Sequence, residues 1–218
     1  IKKIFLLNNF LTQIADALSN TKTVLVWLMN ALGAPLYLTA LLVPIRESGS
    51  MLPQALLANY LAHKKKRRPT WVVGGMVQAI SLVAIGLSAL WFQGSTIGWI
   101  IIAMVAIFSF GRSLCSLSSK DIMGRTIPKN QRGSLTGYAQ SLSGAVILCI
   151  GLWFQLGNIN KDILPWVIIA AGLIWVVAIV VFLGIYEPKV SDRESEESFS
   201  VGKTLSQDTL LLIMLQII

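Results

Sequence analysis

The chain has 218 residues, 55% of them hydrophobic and 13% charged, with a mean hydropathy of +0.70. That balance excludes an ordinary soluble domain and places the chain among polytopic membrane proteins. A net charge of +8 would point to nucleic acid in a soluble protein, but no soluble domain surrounds these cations and no nucleic-acid partner is expected.

The first 62 residues read as two helices, about Ile4 to Leu32 and Pro35 to Ala62, turning at Gly33-Ala34-Pro35. Hydropathy alone finds a single span here, Val24 to Ile45, but periodicity favours two. Asn9, Thr12, Asp16, Asn20 and Thr23 recur at three- and four-residue steps and form a polar stripe, with Phe10, Leu11, Ile14, Leu18 and Leu25 elsewhere. A polar stripe on a membrane helix faces a water-filled cavity or the bundle interior. The competing reading is an amphipathic helix lying on the membrane surface. Pro44 and Pro53 should kink the second span.

His63-Lys64-Lys65-Lys66-Arg67-Arg68-Pro69 follows, with five consecutive cations. From Pro69 to Gly111 there is no charged residue. This run exceeds the roughly 20 residues that one crossing needs. It is interrupted at Gln93-Gly94-Ser95, giving span three at about Thr70 to Phe92 and span four at about Ile97 to Ser119. Trp91 and Trp99 flank the turn, as interfacial aromatics do. A second basic loop, Lys120 to Gly133, precedes span five, which runs to about Leu156, and span six runs from about Ile163 to Tyr186. On span five, Gly133, Gly137, Ser141 and Ala145 lie at four-residue steps and predict close helix packing, or else a passage lined by small residues. Cys115 and Cys149 fall in apolar runs and read as small packing residues, not as a disulfide.

Residues 187–208 shift to Ser, Glu, Asp and Lys and read as a polar cytoplasmic linker; 209–218 read as the beginning of a seventh span. With Ile1 in place of Met and an apolar run at its end, the chain reads as part of a longer protein. The distribution of Lys and Arg supports this map. Fourteen lie in the N-terminus, the two basic loops and the linker, against Lys161 on the other side; Lys22, Arg46 and Arg112 fall within spans. Basic loops stay in the cytoplasm, so both ends of a six-span unit should be cytoplasmic.

These features resemble the amino-terminal half of a major facilitator superfamily transporter. Leu57-Ala58-Asn59-Tyr60 followed by the Lys/Arg run looks like the family's loop between spans two and three, with Asn59 where the family carries Asp and His63 where it carries Gly. Asp121, Pro128, Arg132 and Gly133 are similar to its loop between spans four and five. The Arg112 region resembles the family's span-four arginine motif more weakly, with Cys115 and Ser116 in place of glycines, and span five lacks the Gly-Pro of the antiporter motif. The resemblance implies an all-α, six-helix half of a twelve-helix transporter, residues 1–186, and not an enzyme. It implies alternating access around a midplane site, a small-molecule substrate coupled to a proton or sodium ion, the carboxy-terminal half of the same chain as partner, and the bacterial inner membrane as location. Asn59, Lys64, Lys65, Arg67, Arg68, Asp121, Arg125, Arg132 and Gly133 become candidates for the conformational loops.

Charges inside a membrane are costly, so each is a functional candidate. Asp16 reads either as a carboxylate that binds and releases a coupling proton or as half of a fixed ion pair. Asn20 shares its stripe. Arg46 and Glu47 are adjacent and point about 100° apart on a helix. Glu47, Ser50 and Gln54 make one cavity-facing row, and Arg46, Gly49 and Pro53 the next. Arg112 would bind an anionic substrate or neutralise Asp16, and Lys22 would snorkel outward or pair with Glu47. A single histidine and no ligand-spaced cluster leave no metal or cofactor expected. Two rival functions are a membrane-embedded lipid-acting enzyme, which lacks the expected His/Asp/Glu cluster, and a non-transporting six-span receptor or assembly protein.

Overall fold

The computed structural model describes residues 2–62, 67–156 and 161–185, and every regular element in them is helical. The helices are α1 (Lys2–Leu18), α2 (Val24–Ala31), α3 (Leu36–Ala62), α4 (Arg68–Trp91), α5 (Gly94–Thr126), α6 (Lys129–Leu156) and, after a 3-10 turn at Lys161–Ile163, α7 (Leu164–Leu183). Three of them, α4, α5 and α7, are long and apolar enough to cross a membrane. The polar linker, the start of a seventh span, His63, Lys64 and Lys65 lie outside the described residues.

The first predicted helix is not continuous. It breaks between α1 and α2, because short polar side chains there bond to the local backbone and compete with the helix. Ser19 Oγ donates to Ala15 O at 2.8 Å, and Asn20 Oδ1 accepts from Lys22 N at 2.8 Å. Leu25 N then reaches back five residues to Asn20 O at 3.0 Å. Asn20 and Thr23 therefore leave the stripe that Asn9, Thr12 and Asp16 occupy on α1.

The turn at Gly33 forms as its chemistry requires. Gly33 has φ +72°, Gly33 N donates to Asn30 O at 3.2 Å, and Ala34 N donates to Met29 O at 2.9 Å. This pair of bonds is the glycine-terminated helix end that satisfies the last carbonyls of α2. Gly94, at φ +68°, opens α5, and its N–H donates to Leu32 O at 2.9 Å. The α2–α3 and α4–α5 turns are thus fastened together at one end of the bundle.

At the other end, the second basic loop is mostly helix, a correction to the sequence reading. α5 runs on to Thr126, carrying Lys120, Asp121 and Arg125, and α6 already includes Lys129, Arg132 and Gly133. An ion pair four residues apart, Arg125 Nη2 to Asp121 Oδ2 at 2.8 Å, supports the extension. Pro128 ends it by holding Ile127 extended (φ −124°, ψ 127°). At 33 residues, α5 is about 50 Å long, longer than a hydrocarbon core of about 30 Å, so its charged turns can lie beyond the apolar zone.

The core forms where α4 packs against α5 and α7, α3 against α5, and α1 against α6 and α7. Trp71 of α4 stacks on Phe182 of α7 with ring centroids 3.7 Å apart. The small residues that bring backbones together are Gly74 and Gly111. A Cβ on either would sit 2.7 Å from the other's carbonyl oxygen. The stripe expected to pack does not. A Cβ on Gly133 or Gly137 would have nothing within 4 Å, and Ser141 and Ala145 are exposed. α6 instead buries Leu135, Ala139 and Ser143, two residues out of phase with that stripe. Of the cysteines, Cys115 is buried as expected and Cys149 is exposed.

Candidate functional site

Asp16, near the end of α1, meets cations from two other helices. Arg112 Nη1 of α5 lies 2.5 Å from Asp16 Oδ2, and Arg46 Nη2 of α3 lies 3.6 Å from Asp16 Oδ1. Among the described residues, only Asp16 supplies a carboxylate to the two guanidiniums at these distances. Neither Asp16 Oδ1 nor Arg112 Nη1 completes a hydrogen bond of good geometry, so the contacts are ionic and not directed.

Arg46 is the more firmly held of the two. Its Nη1 donates to Ser19 O at 3.1 Å, a carbonyl made available by the break after α1, and its guanidinium carbon lies 5.3 Å from the centre of the Phe108 ring. Its neighbour Glu47 points another way, as adjacent helical residues must. Glu47 Oε1 lies 3.6 Å from Lys22 Nζ, with both side chains more than half exposed. Such a pair contributes little to stability. Lys22 thus takes the Glu47 partner considered for it.

These groups surround a cavity of about 270 Å³ lined by Asp16, Asn20, Lys22, Arg46, Glu47 and Arg112, among others. Ser50 also lines it, whereas Gln54, the next position of the row drawn through Glu47, does not. A second cavity of about 170 Å³ shares Asp16 and Arg112 in its lining with the first. The second cavity is otherwise uncharged, with Asn8, Thr12, Gln78 and Trp175 in its wall. Asn8 Oδ1, Gln78 Oε1 and Trp175 Nε1 are buried without a hydrogen-bond partner, as groups that bond water or a ligand would be. Sequence reading missed all three. Gln78 and Trp175 are single polar groups in apolar runs, Asn8 sits beside Asn9 on α1, and nothing in the local pattern says that α1, α4 and α7 bring the three together.

A separate polar cluster joins the other end of the bundle. Arg67 Nε donates to Asp121 Oδ2 at 2.7 Å, and Arg125 shares the same oxygen. Arg132 Nε donates to Ile127 O at 2.8 Å, and its Nη2 donates to Gly124 O. Arg132 thereby satisfies carbonyls left over at the end of α5. Arg68 opens α4, Asn59 lies in the last turns of α3, and Gly133 is exposed on α6. Among the described residues, no three His, Cys, Asp or Glu side chains are grouped to hold a metal ion.

No family model and no curated protein matches this chain. A solved structure does: the crystal structure of a D-xylose-proton symporter, 15% identical, with a TM-score of 0.66. The match covers 100% of this chain and 52% of the symporter, so the chain spans about half that protein's length. The chain thus shares its fold with about half of that symporter, and it carries a charged cavity among its helices.

Proposed function

We propose that the chain is the amino-terminal half of a major-facilitator-type secondary transporter, which moves a small solute by alternating access and is not an enzyme. The observation that carries this reading is the Asp16–Arg46–Arg112 cluster. It places charge from three helices on one cavity, in a bundle that matches half of a symporter. Intramembrane charge that faces a cavity marks a substrate or ion path.

In this reading α1 with α2, then α3 to α7 in order, make six crossings. The charged and polar residues on α1, α3 and α6 lower their hydropathy because those helices face the transport path. The protein sits in the bilayer of a bacterial inner membrane, with the cationic ends cytoplasmic and residues 187–208 linking to a second half. Asp16 is the candidate to carry the coupling ion, a proton or sodium. Arg46, Glu47, Asn20 and Arg112 contact solute or hold Asp16 in place, and Gln54 drops to a supporting position on α3. The cluster of Arg67, Asp121 and Arg125 ties the cytoplasmic ends of α4 and α5 and would break or re-form as the halves rock. The test is solute accumulation by the full-length protein in proteoliposomes under an imposed ion gradient. Absence of gradient-dependent uptake across a broad solute panel, with the protein folded and inserted, would overturn the reading.

A further inference from the structure

We propose that the cavity between α1, α3 and α5 binds a small oxyanion, a carboxylate or phosphate group, with Arg112 as its main contact and Lys22 as the second cation. This deepens the transport reading and rests on it for the claim that the occupant is carried.

The argument is one of charge balance. Three cations, Lys22, Arg46 and Arg112, and two carboxylates, Asp16 and Glu47, line the larger cavity. The smaller cavity adds no charge beyond Asp16 and Arg112. Lys22 and Glu47 offset one another across 3.6 Å, and among the described residues the two guanidiniums have Asp16 as their one ion-pair carboxylate. Among the described lining residues one positive charge is left over, beside the largely buried Arg46. An anion removes that imbalance; a neutral solute leaves it.

Accessibility says which cation is available. Arg46 has a side chain 11% exposed and is committed to Ser19 O, Asp16 and the Phe108 face. Arg112 has a side chain 38% exposed, borders both cavities, and has Asp16 as its charged partner. Its planar fork suits the paired oxygens of a carboxylate or phosphate. Lys22 is 62% exposed in a weak, solvated pair and can turn to the same anion at little cost. A volume of about 270 Å³ holds a small solute, since one water takes roughly 30 Å³.

The roles of Arg112 and Asp16 in binding are then opposite in sign, which a neutral-solute site would not produce. The full-length protein is purified, and thermal unfolding is titrated with inorganic phosphate, succinate and, as the neutral probe, D-xylose; counterflow of the same solutes is measured in proteoliposomes. The expected result is saturable stabilisation by at least one oxyanion and none by D-xylose. Arg112→Gln should weaken oxyanion binding about tenfold or more, with partial recovery in Arg112→Lys. Asp16→Asn, which frees Arg112, should tighten it. Should Arg112→Gln fail to fold, Lys22→Gln on its exposed side chain reads the same charge, with a smaller weakening expected. Stabilisation by D-xylose alone, or oxyanion binding unchanged in both cation variants and not tightened in Asp16→Asn, would overturn the proposal. Counterflow separates the two readings. Oxyanion binding without movement of any solute counts against transport and for the anion site; movement of D-xylose alone does the reverse.

Discussion

Arg67 and Asp121 are 54 residues apart in sequence, yet Arg67 Nε donates to Asp121 Oδ2 at 2.7 Å. The bond joins the start of α4 to the last turns of α5. Asn59 stands where the resembling family carries a carboxylate in the preceding loop, and here it is α5 that supplies the carboxylate to the basic run. The Arg67 side chain is 6% exposed, so the bond is made largely out of water. Asp121→Ala should lower stability by about 1.5–3 kcal/mol, the usual value of a hydrogen bond to a charged group. Arg125→Ala removes only a pair within one helix and should cost about 0.3–0.5 kcal/mol. Denaturant or thermal unfolding in detergent ranks the two, and equal losses would contradict this assignment.

The Asp16 cluster makes a second prediction. Under the transport reading, Asp16→Asn abolishes accumulation driven by an ion gradient and preserves solute exchange, because Asn keeps the shape and loses the titration. If Asp16 serves only as a fixed partner for the two arginines, folded yield falls instead, by the equivalent of about 3–5 kcal/mol for a broken buried pair. Removing Arg112 as well should then restore part of the yield, since Arg46 still lacks its carboxylate. Accumulation and exchange are measured on one folded preparation, and normal accumulation by folded Asp16→Asn rules out the coupling role.

The glycines make a third. Gly74→Val places a side chain against the Gly111 carbonyl oxygen at 2.7 Å, and also near Cys115 Sγ and Leu114 Cβ. Backbone cannot yield as a side chain does, so α4 and α5 must separate, at a cost of about 1–3 kcal/mol or more. Gly133→Ala and Gly137→Ala meet nothing within 4 Å in this chain and should leave its stability unchanged. If those two lower transport by the full-length protein without lowering its melting temperature, the open face of α6 meets the second half or the solute.

Orientation is the fourth. Single cysteines at residues 65 and 125 should react with an impermeant thiol reagent only from the cytoplasmic side, and cysteines at 94 and 158 only from the other. The background lacks Cys115 and Cys149. The fastening of Gly94 N to Leu32 O puts residue 33 on the side of 94, so a cysteine there should label with it. Labelling of residue 65 from outside intact cells would reverse the topology.

What was legible in sequence is what depends on neighbours along the chain. Helix positions after residue 68 followed from apolar runs and those before it from the polar period, and the turns at Gly33 and Gly94 from the one residue type that takes positive φ freely. Asp16, Arg46 and Arg112 stood out because a charge inside an apolar run needs a reason to be there. The break after Leu18 was written locally as well, in Ser19 and Asn20, but the regular spacing of polar residues across it reads as one helix until their backbone bonds are known. Tertiary structure alone decided which partners meet. Both arginines reach Asp16, Asp121 receives Arg67, and Gly74 with Gly111, not Gly133 with Gly137, bring backbones together. Each of these contacts depends on where two helices cross and how each is rotated about its axis. The 3.6-residue period carries the rotation of residues on one helix relative to each other, but not the depth at which one helix meets the next.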